Sequence, residues 1–129
     1  DWLDRECLEK LSGAFSPTTV ACYGDPRLHD GKRIRTRSGF LVSEPNGHFS
    51  YPHVQAPRAY RASALRVCEG WKTDDAFQGR FYEDRRMLAR IHALGEVKHV
   101  GAVGYNVQHR AGSLSRGDPE EAAAAKLIA

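Results

Sequence analysis

Residues 1–23 read DWLDRECLEKLSGAFSPTTVACY, a passage in which a helical pattern is followed directly by a strand pattern. Apolar residues recur every three to four positions over residues 1–15, with charged residues between them, which predicts an amphipathic helix. The β-branched and aromatic residues at 18–23 favour a strand. A helix that leads into strands is typical of the α+β class.

Further short segments bounded by turn residues also predict strands. They lie at 33–42, 49–54, 63–69, 80–91 and 96–103. Helix-forming residues at 86–91 leave helix and strand both open for the fourth segment. The sequence GDP at 24–26 predicts a turn, and DPEE at 118–121 predicts the start of a closing helix. We therefore expect one α+β domain over residues 1–129, with an N-terminal helix packed on a twisted antiparallel β-sheet.

Composition excludes several classes of protein. The 129 residues are 41% hydrophobic, which suits a folded domain with a modest core. No apolar run exceeds four residues, so the sequence predicts no membrane span. Lys and Arg total 19 against 16 Asp and Glu, a net charge of +3, and arginine outnumbers lysine. This balance is compatible with a phosphate-bearing partner, because the guanidinium group binds phosphate through paired donors.

The three cysteines, Cys7, Cys22 and Cys68, form no CxxC pair, which argues against a zinc knuckle or a thioredoxin-type site. One disulfide with one free thiol would suit a secreted protein, and three reduced thiols would suit a cytosolic one. Residues 1–12 carry charges throughout and have no apolar signal-peptide core, so we expect either a cytosolic chain or a processed secreted one.

Four polar residues follow one another on the predicted strands: His53, Glu69, Arg85 and His99. Two histidines, a carboxylate and an arginine are the groups that metal-free phosphodiester cleavage requires. A base removes the proton of a ribose 2′-hydroxyl, and an acid protonates the departing 5′-oxygen. A cation stabilises the charge that develops on the phosphoryl oxygens.

The segments around these residues resemble the fungal guanyl-specific ribonucleases and their ribotoxin relatives such as sarcin. Residues 50–53 (SYPH) resemble the Tyr-Pro-His motif of that family. Residues 83–85 (EDR) and 97–104 (VKHVGAVG) resemble its arginine strand and its His-x-Gly-Ala-x-Gly segment. The order and approximate spacing of the four residues also resemble those of the family. His53 and Glu69 are 16 residues apart, Glu69 and Arg85 are 16 apart, and Arg85 and His99 are 14 apart. The resemblance covers residues 49–107.

The resemblance implies a microbial ribonuclease fold and a secreted endoribonuclease that cleaves single-stranded RNA through a 2′,3′-cyclic phosphate. Glu69 would be the general base, assisted by His53, and His99 the general acid, with the roles exchanged in hydrolysis of the cyclic phosphate. Arg85 would stabilise the phosphoryl charge, and the Tyr51 hydroxyl would bind the phosphate. No metal or cofactor is implied. The partner would be RNA, with the ribosome or a host protein as the target of a monomeric toxin or effector.

Other residues are assigned to substrate binding. Tyr60 is placed to stack on a base, and Tyr105 and Asn106 follow the second histidine segment. Arg33 and Arg35 alternate with uncharged residues, so a strand would place them on one face. That face would either contact an RNA backbone or, equally, serve as a solubilising surface. The stretch at 54–60 has no acidic residue to bind a guanine edge, so guanine preference is not predicted.

Two other functions are compatible with the sequence. The first is a non-catalytic protein of the same fold that binds RNA or a host protein, which the altered base-recognition loop favours. The second is a cysteine peptidase that uses Cys7 and His99. Cys7 lies on the apolar stripe of the predicted helix, where burial would keep its thiol protonated and unreactive. The remaining histidines, His29, His48, His92 and His109, have no metal-ligand spacing and are interpreted as surface or loop residues.

Overall fold

The computed structural model describes residues 1–37, 42–43, 49–50, 56–74, 76, 78–79 and 83–108. Three helices are present in this part of the chain: α1 (Cys7–Ser12), α2 (Ala62–Val67) and α3 (Glu83–His92). The strands are β1 (Trp2–Leu3), β2 (Thr19–His29), β3 (Ile34–Thr36), β4 (Val42–Ser43), β5 (Phe49–Ser50), β6 (Arg58–Tyr60) and β7 (Glu96–Gln108). No helix in these ranges is long and apolar enough to cross a membrane.

The main sheet has five strands and is mixed, so the expected antiparallel sheet is wrong at its centre. The two longest strands, β2 and β7, pair in parallel, and β1 pairs antiparallel with the outer side of β7. On its other side β2 pairs antiparallel with β6 along residues 21–23 and with β3 along residues 27–29. A parallel pair requires a long connection, and the chain between β2 and β7 contains α2 and α3.

Two apolar clusters cover the two faces of the sheet. Cys22 and Tyr23 are consecutive on β2 and point to opposite faces, as neighbouring strand residues do. Tyr23 belongs to the larger cluster, with residues of α2, α3 and β7: Ala64, Cys68, Met87, Leu88, Ile91 and Val97. Cys22 packs with Cys7 and Leu11 of α1 and with Val103 of β7. The predicted packing of an N-terminal helix on the sheet is therefore confirmed.

The structure changes several predicted boundaries. The strands at 18–23 and 96–103 are confirmed and extend to residues 29 and 108. The strand predicted at 63–69 is wrong, because α2 occupies most of it. For the segment at 80–91 the helical alternative is confirmed by α3 from Glu83 onward, and residues 80–82 lie outside the described residues. Helix α3 buries residues at helical spacing, such as Met87 and Ile91, and α2 buries Ala64, four positions before the buried Cys68 that follows the helix.

The helix predicted over residues 1–15 is shorter than expected, because Trp2 and Leu3 pair with β7 as a strand. The strands predicted at 33–42 and 49–54 are confirmed at Ile34–Thr36, at Val42, where β4 begins, and at Phe49–Ser50. Residues 38–41 and 51–54 of these segments lie outside the described residues. The helix predicted from residue 118 lies outside the described residues.

Helix α2 ends in a Schellman motif that holds Glu69 in an unfavourable backbone conformation. The N–H groups of Glu69 and Gly70 donate to the carbonyls of Arg66 and Leu65 at 3.0 Å each. Glu69 has φ 58°, the left-handed conformation in which the side chain of an L-residue crowds the backbone. Glycine is the usual residue at this position.

Replacing Glu69 with glycine should therefore stabilise the fold relative to replacing it with alanine. Both variants remove the carboxylate, but only alanine keeps the Cβ that the left-handed conformation disfavours. We expect E69G to exceed E69A by about 1 kcal/mol in the free energy of unfolding measured in urea. Equal stability of the two variants would contradict the backbone conformation assigned to Glu69.

Candidate active site on the central strands

His99 of β7 and Asp25 of β2 form a hydrogen-bonded pair at the centre of the sheet. His99 Nε2 lies 2.7 Å from Asp25 Oδ1. The Asp25 side chain is 8% exposed and that of His99 is 34% exposed, so the imidazole borders solvent and the carboxylate lies beneath the surface. Because a carboxylate oxygen only accepts, Nε2 carries the hydrogen. Nδ1 is then the ring nitrogen that can exchange a proton with a bound molecule.

Tyr23 fixes the other side of the imidazole. It is the register partner of His99, and the two rings stack with centroids 5.0 Å apart and planes at 27°. Tyr23 is fully buried, and burial together with the nearby Asp25 carboxylate raises the pKa of its hydroxyl. The phenol therefore stays neutral and acts as a packing surface for His99.

A bulge in β7 brings His99 and Asp25 together. Tyr23 pairs with His99 and Asp25 pairs with Ala102, so β7 has one residue more than β2 between these two pairs. Gly101 has φ 82° in this interval, a conformation that glycine adopts without strain. Bulges of this kind re-aim side chains next to functional sites.

Asp25 is a site residue that sequence reasoning missed. The sequence GDP at 24–26 was expected to be a turn, but all three residues belong to β2. The turn prediction is wrong because register shifts on either side of Asp25 accommodate the proline. Proline is found in strands at such irregular positions.

Arg58 is a second residue that the sequence did not indicate. It is the register partner of Tyr23 on β6, so His99, Tyr23 and Arg58 form one row across three strands. The Arg58 side chain is 20% exposed, and its Nη1 lies 2.7 Å from Oδ2 of Asp84 in the first turn of α3. The row therefore carries an imidazole near one end and a guanidinium near the other.

The structure does not place Glu69 on a strand, as the sequence predicted. It follows α2, its side chain is 74% exposed, and Lys72 Nζ donates to its Oε2. The hydrogen bond and the charge of Lys72 lower the pKa of the Glu69 carboxyl. A lower pKa makes the carboxylate a weaker base. Glu69 contacts Lys72, whereas His99 contacts Asp25 and Tyr23.

Of the other predicted catalytic residues, Arg85 lies on α3 rather than on a strand, and its side chain is outside the described part of the structure. His53 and Tyr51 also lie outside the described residues. Of the two predicted catalytic side chains that the structure describes, Glu69 and His99, it is His99 that has a buried acidic partner.

The predicted substrate-binding residues have distinct surroundings. Tyr60 packs against the larger core cluster and meets the ring of Trp71 edge-on at 5.7 Å, and burial raises its pKa. The Tyr105 hydroxyl donates to Asp1 Oδ2 at 2.9 Å, and Asn106 is buried. Arg33 and Arg35 are exposed, as RNA contact or a solubilising surface would both require.

All three cysteines are free thiols and buried. Burial raises the pKa of Cys7 and of Cys22, so both remain protonated thiols. The predicted burial of Cys7 is confirmed, and the geometry offers no support for a cysteine peptidase. Among the described residues no cluster of three or more His, Cys, Asp or Glu side chains could hold a metal ion.

A second polar network lies at the far end of β2. Asp4 accepts from Arg27 Nη1 at 2.6 Å and from Asn106 Nδ2 at 2.9 Å, and His29 Nε2 donates to Asn106 Oδ1 at 2.9 Å. These hydrogen bonds, with Asn106 the largest contributor, hold the pKa of Asp4 below its usual value near 3.8. His29 was expected to be a surface or loop residue, but it is the last residue of β2 and is half-buried in this network.

The lowered pKa of Asp4 predicts a specific acid sensitivity. Since the folded state favours the ionised carboxyl, its stabilising effect is present above the unfolded pKa and is lost as pH falls through the folded pKa. We expect D4N to be less stable than the wild type at pH 7, and the difference to shrink as the pH falls below about 4. Urea unfolding between pH 2 and 7 measures this difference in stability between D4N and the wild type. The exposed Asp74 provides a control, D74N, that makes the same change in formal charge. If the difference in the free energy of unfolding between D4N and the wild type does not vary with pH, the prediction is wrong.

Comparison with known proteins gave no match to a family model, to a curated protein or to a solved structure.

Proposed function

We propose that this protein is a secreted, metal-independent endoribonuclease with a microbial ribonuclease-like domain, in which His99 is the general acid. The observation that carries the proposal is the contact of a partly exposed imidazole with a buried carboxylate on the two central strands. Such a carboxylate fixes the tautomer and orientation of a catalytic histidine. The net charge of +3 and the exposed Arg33 and Arg35 suit a polyanionic substrate.

The reaction is an internal transesterification. A base takes the proton of the 2′-hydroxyl as the 2′-oxygen bonds to phosphorus. Protonated His99 gives the proton on Nδ1 to the 5′-oxygen as the bond from phosphorus to that oxygen breaks. The products are a 2′,3′-cyclic phosphate and a free 5′-hydroxyl. Neutral His99 then takes a proton from the water that attacks the cyclic phosphate, and the first base returns its proton to the 2′-oxygen as the bond from phosphorus to that oxygen breaks.

Two of the predicted groups remain candidates for the first base, Glu69 and His53. The exposed position and lowered pKa of Glu69 favour His53. For the phosphoryl charge, Arg85 follows Asp84 in α3, and Asp84 binds Arg58 of the row that contains His99. We retain Arg85 in this role and add Arg58 as a second candidate.

The test is cleavage of a dye-labelled single-stranded RNA in EDTA between pH 5 and 8. We expect the wild type to give products that end in cyclic phosphate, and H99Q to give none. A DNA oligonucleotide of the same sequence is the control, because it lacks the 2′-hydroxyl. Comparing E69Q with H53Q identifies the base, since only loss of the true base removes the activity. Cleavage that depends on added metal, or that H99Q retains in full, would refute the proposal.

The alternative is a non-catalytic ribonuclease-like protein that binds RNA or a host protein. The observation that favours it is the ion pair between Glu69 and Lys72, which removes the predicted base from its expected position. Tight binding of an uncleavable RNA together with absence of cleavage over the whole pH range would establish this alternative.

A further inference from the structure

The turn from β2 into β3, together with β3 itself, carries the excess positive charge of the protein, and we call residues 29–37 the basic hairpin. The net charge of the basic hairpin is +3, from four basic residues and one acidic residue: Lys32, Arg33, Arg35, Arg37 and Asp30. The net charge of the entire chain is also +3, so the rest of the chain is neutral in sum. Positive charge that is concentrated on one element, instead of being spread over the surface, indicates a contact surface for a polyanion.

Two guanidinium groups of the basic hairpin, those of Arg33 and Arg35, are exposed and form no ion pair with the described residues. The Asp30 carboxylate accepts the backbone N–H of Arg33 at 2.9 Å, which fixes the turn. Arg27, in the same region of the sheet, differs because the Asp4 carboxylate binds it at 2.6 Å. Arg33 and Arg35 therefore keep their side-chain donors available for an external anion.

Pairing with β2 places the arginines of the basic hairpin on one face of the sheet. Arg35 is the register partner of Leu28. The ladder extends beyond both ends of β3, through hydrogen bonds of the Arg33 carbonyl at 3.2 Å and of the Arg37 N–H at 3.0 Å. Since alternate residues of a strand share a face, Arg33, Arg35 and Arg37 project to the same side, with about 7 Å between the Cα atoms of neighbouring arginines.

This side of the sheet is the reverse of the one that holds the pair of His99 and Asp25. Leu28 and Asp25 are three residues apart on β2, so their side chains project to opposite faces. Arg35 shares the face of Leu28, about 10 Å along the strand from Asp25. Because β3 is an edge strand in the described part of the chain, an RNA that is cleaved at His99 reaches the arginines by crossing this edge.

We propose that the basic hairpin docks the sugar–phosphate backbone of a long RNA, through Arg33 and Arg35, outside the His99 site. The choice of RNA as the polyanion rests on the proposed function. The surface contributes affinity and faster association instead of chemistry, because it lies on the other face of the sheet. It selects no base sequence, since every nucleotide presents the same phosphate group.

The salt dependence of RNA binding tests this surface. The probe is a dye-labelled 2′-O-methyl oligouridine of about 20 nucleotides, which has no free 2′-hydroxyl and stays intact. Each phosphate contact adds about 0.7 to the slope of log Kd against log salt concentration for a single strand. We expect R33Q/R35Q to lower this slope by about 1.4. Its loss of affinity relative to the wild type then grows about 7-fold as the salt falls from about 200 to about 50 mM.

R66Q is the matched control for R35Q, because both residues are exposed arginines and both changes lower the net charge by one. R35Q should lower the slope by about 0.7, and R66Q should leave it unchanged. R35K keeps the charge and should bind like the wild type. All these variants should unfold in urea like the wild type, because exposed side chains are changed.

Vesicles of phosphatidylcholine and phosphatidylserine test the other polyanionic surface. If R33Q/R35Q loses binding to these vesicles but keeps the wild-type slope for RNA, the docking of RNA is overturned in favour of a membrane. If RNA is cleaved but the slope is the same in R33Q/R35Q and the wild type, the docking surface alone is wrong. If RNA binds through the basic hairpin but is never cleaved, the catalytic proposal alone is wrong. If the wild type neither binds nor cleaves RNA, both are wrong.

Discussion

Replacing Asp25 with asparagine should lower the rate of RNA cleavage about 10²- to 10⁴-fold, the usual contribution of a general acid or base. The carboxylate accepts from His99 Nε2 at 2.7 Å, which leaves Nδ1 to exchange the proton. An asparagine amide both donates and accepts, so it no longer selects the tautomer or stabilises the imidazolium. The measurement is the single-turnover rate of cleavage in EDTA as a function of pH.

The control for D25N is D30N, which makes the same change in formal charge at an exposed residue. D30N should cleave at the wild-type rate. Because Asp25 is buried, D25N is also examined by urea unfolding and by binding of a dye-labelled 2′-O-methyl RNA hexamer, which has no free 2′-hydroxyl and is not cleaved. A loss of cleavage with folding and binding intact supports a positioning role for Asp25. Wild-type rates in D25N with the same dependence on pH would contradict that role.

Replacing Gly24 with alanine should destabilise the fold by about 1–3 kcal/mol, the usual cost of overfilling a packed interior. A Cβ on Gly24 would lie 2.3 Å from Val103 Cγ2 and 3.0 Å from the carbonyl oxygen of Gly101. Val103 is 1% exposed and belongs to the cluster between the sheet and α1, so it has little room to move. Urea unfolding measures the effect.

The variant V103A makes the origin of this effect testable. In the double variant G24A/V103A the new methyl group fills part of the space that the valine leaves. We therefore expect the two changes to be non-additive by about 0.5–3 kcal/mol, the range for residues in direct contact. G31A is a control, because a Cβ on Gly31 meets nothing within 4 Å and costs only the strain of its φ of 84°. Strict additivity of G24A and V103A would show that the two residues do not collide.

The local sequence predicted the elements whose pattern is repeated over their whole length. The β-branched residues of β2 and β7 predicted strands, and the apolar stripe of α1 predicted both the helix and the burial of Cys7. The segment that became α2 was predicted to be a strand, and the segment that became α3 was left open between helix and strand. Residues 63–69 and 80–91 contain alternating as well as helical spacing of apolar residues, and short segments of this kind are decided by the surface against which they pack.

The local sequence indicated His99 as a candidate catalytic residue, because a strand histidine followed by small residues leaves room for a ligand. It did not determine the partner of that histidine. Asp25 lies 74 residues away and reaches His99 only because β2 and β7 pair in parallel with a bulge between them. The pairing direction and the register depend on contacts between distant parts of the chain, and a local sequence pattern carries no information about those contacts. The same pairing brought Asn106 of β7 to His29 of β2, so the polar network at the far end of β2 also follows from the tertiary structure.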